Sequence, residues 1–191
     1  MTAAEDIFGR NEDMIFVSHY DSPLGMIYMA ADDDVLKGVW FEGQKYFASG
    51  LDKKETEDKE TPVLKQTKEW LDLYFVGKEP EFLPPLAPEG SEFQKKVWKI
   101  LLMIPYGKTM TYGEIGRKVA EMSGKKTMSA QAVGGAVGHN PISILIPCHR
   151  VVGTNGSLTG YGGGIKNKVK LLEHEGNDMT RLTIPQRGTV L

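Results

Sequence analysis

Residues 129–152 read SAQAVGGAVGHNPISILIPCHRVV, and their local signals decide the architecture. Ser129 is a good N-cap, with a hydroxyl suited to accept a bond from the first turn of a helix over 130–137. That helix is slim, carrying Ala130, Ala132, Gly134, Gly135 and Ala136. Small side chains let a helix backbone come close to another surface. That surface is either a groove on a partner or a neighbouring element of the core, and the pattern alone does not separate the two. Asn140-Pro141 breaks the helix, 142–146 is continuously apolar, and Pro147 stiffens the chain ahead of Cys148, His149 and Arg150.

Upstream, Thr111-x-x-Glu114 is a capping box that opens a short helix with Ile115 and Val119, ended by Gly124. Two short helices joined by a tight turn fit a helix-turn-helix, with the slim second helix entering a groove. Further back, Ser91-x-x-Gln94 is another capping box. It opens a helix with Phe93, Val97, Ile100, Leu101 and Ile104 on one face, broken by Pro105-Tyr106-Gly107. Downstream lies a loop with Gly153, Gly156, Gly160, Gly162, Gly163 and Gly164. It lacks both GxxxxGK[ST] and a preceding strand, so it is not a phosphate loop. A last helix is expected over 166–175, with Val169, Leu171 and Leu172 apolar and Gly176 just past its end.

The first part of the chain is built differently. Strand-like runs at 14–20, 24–30 and 35–41, separated by Asp21-Ser22-Pro23 and Asp32-Asp33-Asp34, predict an antiparallel meander. The charged stretch 52–60 reads as a solvated loop. Pro62 starts a helix with Val63, Leu64, Thr67, Trp70, Leu71, Tyr74 and Phe75 on its apolar side, and Gly77 stops it. Pro80, Pro84, Pro85 and Pro88 mark the stretch 80–90 as a linker.

At 191 residues the chain is one large domain or two small ones. Its 40 % apolar and 25 % charged residues exclude disorder, collagen and coiled coil as whole-chain descriptions. No apolar run approaches the ~18 residues of a membrane span. The acidic N-terminus lacks the basic-then-apolar pattern of a signal peptide, which points to the cytoplasm. Charge is split: residues 1–90 hold 9 Lys+Arg and 19 Asp+Glu, a net of −10, and residues 91–191 hold 14 and 6, a net of +8. A basic second half suits an anionic partner such as DNA, or simply solvates helix faces.

Cys148 is the only cysteine, so neither an internal disulfide nor a CxxC metal site is available. It is either a small buried hydrophobe or a nucleophile. Two cation-capable neighbours, His149 and Arg150, are expected to lower its pKa. On an extended segment adjacent side chains point to opposite sides, so His149 would reach the sulfur only through a bent backbone or a bridging water. Cys–His peptidases place these residues far apart in sequence, which weakens a hydrolase reading.

Pro147-Cys148-His149-Arg150-Val151 resembles the active-site signature of the O6-alkylguanine-DNA alkyltransferases. The likeness extends to Phe93-Gln94-x-x-Val97-Trp98, Ile104-Pro105-x-Gly107-x-Thr109, Thr111-Tyr112-Gly113-Glu114, 132–136, Asn140-Pro141-Ile142, Tyr161-x-Gly163-Gly164 and Leu171-Leu172-x-x-Glu175-Gly176. It is specific over 91–176 and much weaker over the first 85 residues. The resemblance implies an α+β fold. An α/β N-terminal domain over 1–85 would carry a small antiparallel, ribonuclease-H-like sheet. A linker would cover 86–90, a mostly helical domain with a winged helix-turn-helix 91–176, and a tail 177–191.

The same resemblance implies the chemistry. Cys148 matches the thiol that takes the alkyl group from O6-alkylguanine, and from O4-alkylthymine, in a single irreversible turnover. His149 matches the residue that takes the thiol proton through a water, and Glu175 the carboxylate that orients it. Asn140 matches a brace of the active-site turn, Tyr112 the support for protonating N3 of the leaving guanine, and Tyr161 a wall of the alkyl pocket. Gln131, Ala130, Gly134, Gly162 and Arg150 complete the expected substrate- and DNA-binding set.

General chemistry agrees with these roles. Displacement at an sp³ carbon calls for a soft nucleophile, the departing guanine needs a proton donor, and the target base must leave the duplex stack. No cofactor or metal is expected. The partner is double-stranded DNA bearing the lesion, no membrane is involved, and the protein is a monomer. Two departures stand out: Gln131 occupies the place of an arginine that fills the gap left by the flipped base in many relatives, and no N-terminal cysteine is present to hold the zinc some relatives bind. Two other readings compete, a lesion-binding relative that accepts no alkyl group and a helix-turn-helix regulator. Cys148 argues against the first.

Overall fold

The structure, a computed structural model, describes residues 14–51 and 55–184. The N-terminal stretch read for a signal peptide and the last part of the tail, 185–191, lie outside the described residues. Three antiparallel strands open the fold: β1 (Met14–Ser22), β2 (Gly25–Ala31) and β3 (Leu36–Phe41). The break at 32–34 is where the sequence puts it, but the first turn is Pro23-Leu24: Asp21 and Ser22, expected in the break, pair with Met26 and Gly25 as the end of β1.

The charged stretch, expected as a loop, instead contains a fourth strand, β4 (Glu55–Asp58), paired parallel to β1 at the sheet edge. All four of its side chains are exposed, so it carries no hydrophobic period for the sequence to announce. Charged side chains on an edge strand also discourage pairing with another chain.

Helix α1 (Pro62–Phe75) starts with Thr61 as N-cap and Pro62 in the first turn, where a missing N–H is harmless. It buries Leu64, Thr67, Leu71 and Tyr74, and Gly77 at φ 80° follows its C-cap. The proline-rich stretch is not a free linker. Leu36 N–H bonds the Pro85 carbonyl, and Ala87 N–H bonds Leu36, so 85–87 run along the outer edge of β3. The same strand edge takes up Pro141 and Ser143 through Val39, at 2.9 and 2.8 Å. One hydrophobic cluster accordingly joins Phe16, Val39 and Leu71 to Val97, Trp98, Ile142 and Ile146.

The second half is helical. Both expected capping boxes are present, opening α2 (Glu92–Leu101) and α3 (Tyr112–Met122). Ser129 caps α4 (Ala130–Gly138). A two-residue strand, β5 (Met110–Thr111), pairs parallel to β6 (Val151–Val152), which holds the start of α3 beside the chain leaving Cys148. Helix α5 (Ile165–His174) ends at Glu175, with Gly176 at φ 72°. Among the described residues, no helix is long and apolar enough to cross a membrane.

Candidate active site

The apolar run 142–146 forms a buried turn. Ile144 adopts φ 70°, a left-handed conformation unusual for a β-branched residue, and is only 1 % exposed. Backbone bonds from Leu145 to Ser143 and from Ile146 to Ile142 hold it there. Pro147 leads into a 3-10 turn, Cys148–Arg150, so the extended geometry expected for Cys148 and His149 does not apply.

Asn140 sits just past the end of α4 and works as a brace. Its amide Nδ2 lies 3.1 Å from Ile142 O, 2.8 Å from Ile146 O and 3.0 Å from Cys148 Sγ, and its Oδ1 accepts from Ile142 N–H.

Behind the thiol is a carboxylate with five donors. Glu175 Oε1 takes bonds from His149 Nε2 (2.6 Å), Tyr74 Oη (2.9 Å) and Arg150 Nη2 (3.0 Å); Oε2 takes bonds from Arg150 Nε (2.8 Å) and Gly107 N–H (3.3 Å). Gly107, at φ 69°, is required here: a Cβ would stand 2.8 Å from the Glu175 carbonyl oxygen. Burial alone would raise the Glu175 carboxyl, but the His149 bond and the Arg150 bonds and charge outweigh it and bring the pKa to about 2. A carboxylate at a helix C-terminus is otherwise disfavoured by the helix dipole.

Burial holds the His149 pKa below its ordinary value. An ionised carboxylate only accepts, so Nε2 carries the ring proton and Nδ1 keeps a lone pair. That Nδ1 is buried and has no partner among the described residues.

The expectation that His149 and Arg150 lower the thiol pKa is not met. Burial pushes the Cys148 thiol up, and the Asn140 bond and the Lys168 charge pull the other way without overcoming it. His149 is neutral and Arg150 is spent on Glu175. Arg150, expected among the DNA-binding residues, is buried, clamps Glu175 and bonds Ile104 O at 2.6 Å, and does not line the cavity described next.

A cavity of about 560 Å³ opens along α4. Its walls include Tyr112, Ala130, Gln131, Gly134, Tyr161 and Gly162 of the expected set, together with Lys45, Tyr46 and His139. Cys148, 5 % exposed, is not in the wall itself. Negative charge on its sulfur would raise the pKa of both Tyr112 and Tyr161, after burial, and Tyr112 is pushed up to about 12. The Tyr112 hydroxyl donates to the carbonyls of Thr159 (3.3 Å) and Gly160 (3.4 Å). The slim face of α4 resolves the ambiguity left by its pattern: Gly135 and Gly138 face open space, whereas Val133, Ala136 and Val137 pack inward.

Sequence reasoning missed three contributors. Lys168 is fully buried and donates to the Val151 and Thr159 carbonyls, and burial lowers its pKa to about 8. Its signal was present: Lys168, Leu171, Leu172 and Glu175 fall at i, i+3, i+4 and i+7, two charges on an apolar stripe. Tyr74 looks like any core aromatic and gave no signal. Tyr46, stacked on His139 at 4.0 Å, comes from the loop after β3 and gave none either.

A cavity along the exposed face of a slim helix, a buried thiol held by an amide and a buried histidine with one unpartnered ring nitrogen are the parts a group-transfer enzyme uses. Comparison with known proteins specifies which. The family described as "6-O-methylguanine DNA methyltransferase, DNA binding domain" matches residues 92–177, and "6-O-methylguanine DNA methyltransferase, ribonuclease-like domain" matches residues 15–88. A methylated-DNA–protein-cysteine methyltransferase of Methanosarcina acetivorans is 41 % identical over 164 residues, covering 85 % of this chain and 99 % of its own. One of Mycobacterium leprae is 40 % identical over 172 residues, covering 90 % and 99 %. The crystal structure of Mycobacterium tuberculosis OGT in complex with DNA superposes with a TM-score of 0.71 at 38 % identity, covering 88 % of this chain and 94 % of that one. The chain belongs to the methylated-DNA–protein-cysteine methyltransferases. Its partner is DNA, and its function is DNA repair by alkyl transfer to a cysteine.

Proposed function

We propose that Cys148 is the acceptor and that O6-alkylguanine in double-stranded DNA is the substrate, with O4-alkylthymine as a second one. The observation that carries this is the pairing of a buried thiol, held by Asn140, with a neutral histidine whose Nδ1 lone pair is unused. In the reaction the S–H proton passes through a water to His149 Nδ1. The developing thiolate is favoured by the Asn140 N–H and the Lys168 charge. Sulfur attacks the alkyl carbon, an S–C bond forms, and the C–O6 bond breaks. The departing guanine takes a proton at N3 from the Tyr112 hydroxyl, and the proton left on His149 returns through water to the tyrosinate, so no net proton is gained or lost. Glu175 steadies the imidazolium that results.

The target base is flipped into the cavity between Tyr161, Gly162 and α4, with Ala130 and Gly134 leaving room for the duplex backbone and Gln131 standing in for the missing base. A thioether is a poor leaving group, so each molecule reacts once, and no cofactor takes part. We further propose a monomer acting in the cytoplasm, with domains at 1–85 and 91–176, a connection at 86–90 and a tail at 177–191.

Intact-protein mass after incubation with duplex DNA containing O6-methylguanine tests the reading. One methylene equivalent should be gained per molecule, and none by Cys148→Ala. Lesion binding without a mass gain would instead identify a non-catalytic lesion binder. Tight binding to one undamaged sequence would identify a regulator.

A further inference from the structure

The catalytic carboxylate is held partly from the other end of the chain. Tyr74 Oη, on α1, donates to Glu175 Oε1 at 2.9 Å across 101 positions of sequence. Tyr74 is 0 % exposed, and its ring stacks on Trp70 with centroids 5.3 Å apart. Its own backbone carbonyl accepts from His174 Nε2, the residue before Glu175. The last turn of α1 is thus fastened to the end of α5 by main chain and side chain together. Glu175 Oε1 is the same oxygen that receives His149 Nε2–H.

We infer that Tyr74 is a positioning residue that sets the basicity of His149 through Glu175. This gives the acidic first part of the chain, otherwise without a stated role, a share in the proton transfer; it rests on His149 acting as the proton acceptor proposed above. The physics follows from one oxygen serving several donors. Each donor withdraws negative charge from the carboxylate, so each weakens its hold on a proton at His149. The burial of the Tyr74 hydroxyl, and the negative charge beside it, keep its own pKa far above the ordinary tyrosine range, so it remains a donor throughout.

The other groups facing this centre are Arg150 from the 3-10 turn, Lys168 and His174 from α5 (the His174 ring 5.1 Å from that of Tyr74), Tyr106 from the loop after α2, and Tyr161 and Cys148 on the thiol side. Arg150 is held by both Glu175 oxygens and by Ile104, and Lys168 by two carbonyls. Neither is hydrogen-bonded to Tyr74, although the Arg150 charge acts on its hydroxyl, so removing that hydroxyl changes one donor to Glu175 and leaves these charges in place.

Tyr74→Phe, made in the full chain, keeps the ring and its stacking. Two readouts are paired: the pH dependence of single-turnover transfer from free O6-benzylguanine, and the titration of the His149 imidazole by nuclear magnetic resonance. Loss of the donor should raise the His149 pKa by about half a unit to one unit, a threefold to tenfold change in proton affinity. Transfer needs the neutral imidazole, so the acid limb of the rate should move up by the same amount. A fluorinated tyrosine at position 74, a stronger donor with nearly the same shape, should move both the other way and serves if the phenylalanine variant folds poorly. An unchanged His149 titration would overturn the inference even if the rate or the stability fell, because packing alone would explain those losses. The titration needs no alkyl transfer, so failure of Cys148 to accept an alkyl group would count against the proposed function and leave this test standing.

Discussion

Asn140 Nδ2 offers two protons to three acceptors, the carbonyls of Ile142 and Ile146 and the sulfur of Cys148, all within 3.1 Å. One amide therefore closes the turn that carries the left-handed Ile144 and at the same time faces the reacting atom. Asn140→Ala should cost about 2–4 kcal/mol of stability, because it orphans buried backbone groups. Asn140→Asp should slow transfer by about tenfold or more, since a carboxylate beside sulfur opposes thiolate formation. Denaturant unfolding and single-turnover rates measure the two effects. A rate for Asn140→Asp equal to wild type would show that the amide acts on the turn alone.

Cys148 should be a sluggish thiol towards general reagents. Burial pushes its pKa up, and only the thiolate is nucleophilic. Near neutral pH, iodoacetamide should modify the folded protein more slowly than the same cysteine in denaturant, while DNA bearing the lesion reacts quickly. Folded-state labelling as fast as for the denatured chain would contradict the buried, mostly protonated thiol.

Acid should unfold the protein by releasing Glu175. Its folded pKa, about 2, lies below the ordinary 4.5, so its contribution is present above the unfolded value and is lost as pH falls through the folded one. The window is thus about pH 5 down to about pH 2, and the amount is on the order of 3 kcal/mol. His149, also depressed, acts in the same direction, since its neutral buried form must charge. Stability of Glu175→Gln should be lower at pH 7 and flatter across this window. An equally steep acid limb in that variant would place the loss elsewhere.

Gln131 lies exposed in the first turn of α4, at the rim of the cavity. Filling the void of a flipped base offsets part of an unstacking cost of a few kcal/mol. Gln131→Ala should slow transfer from duplex DNA much more than transfer from free O6-benzylguanine, which needs no flipping, and Gln131→Arg should keep or raise the duplex rate. Equal duplex rates for wild type and Gln131→Ala would remove this residue from extrusion.

Much of this was legible locally. Capping at Ser91, Thr111 and Ser129, proline at Pro62 and glycine past Phe75 and Glu175 are short-range signals, because a helix end is satisfied by residues within a turn of it. The helices they predict are present, four of them within a residue or two of the expected ends, whereas α2 stops at Leu101, three residues short of Ile104 and so ahead of the expected break at Pro105. β4 was not legible, since an exposed edge strand is defined by its partner β1 and not by its own side chains. The role of Arg150 was misread for a related reason. Its neighbours in sequence suggested a thiol partner, whereas its guanidinium fork is satisfied by a carboxylate 25 positions away.

The sequence by itself determined the succession of helices, strands and turns and the presence of one cysteine beside one histidine, because propensity, capping and patterning act over a few residues. Tertiary structure alone decided the protonation state of that pair. Burial raised the thiol and neutralised the imidazole. Five donors drawn from Tyr74, Gly107, His149 and Arg150 kept Glu175 ionised in the interior. Desolvation and convergent hydrogen bonding depend on which distant segments are packed together, and no local pattern records that.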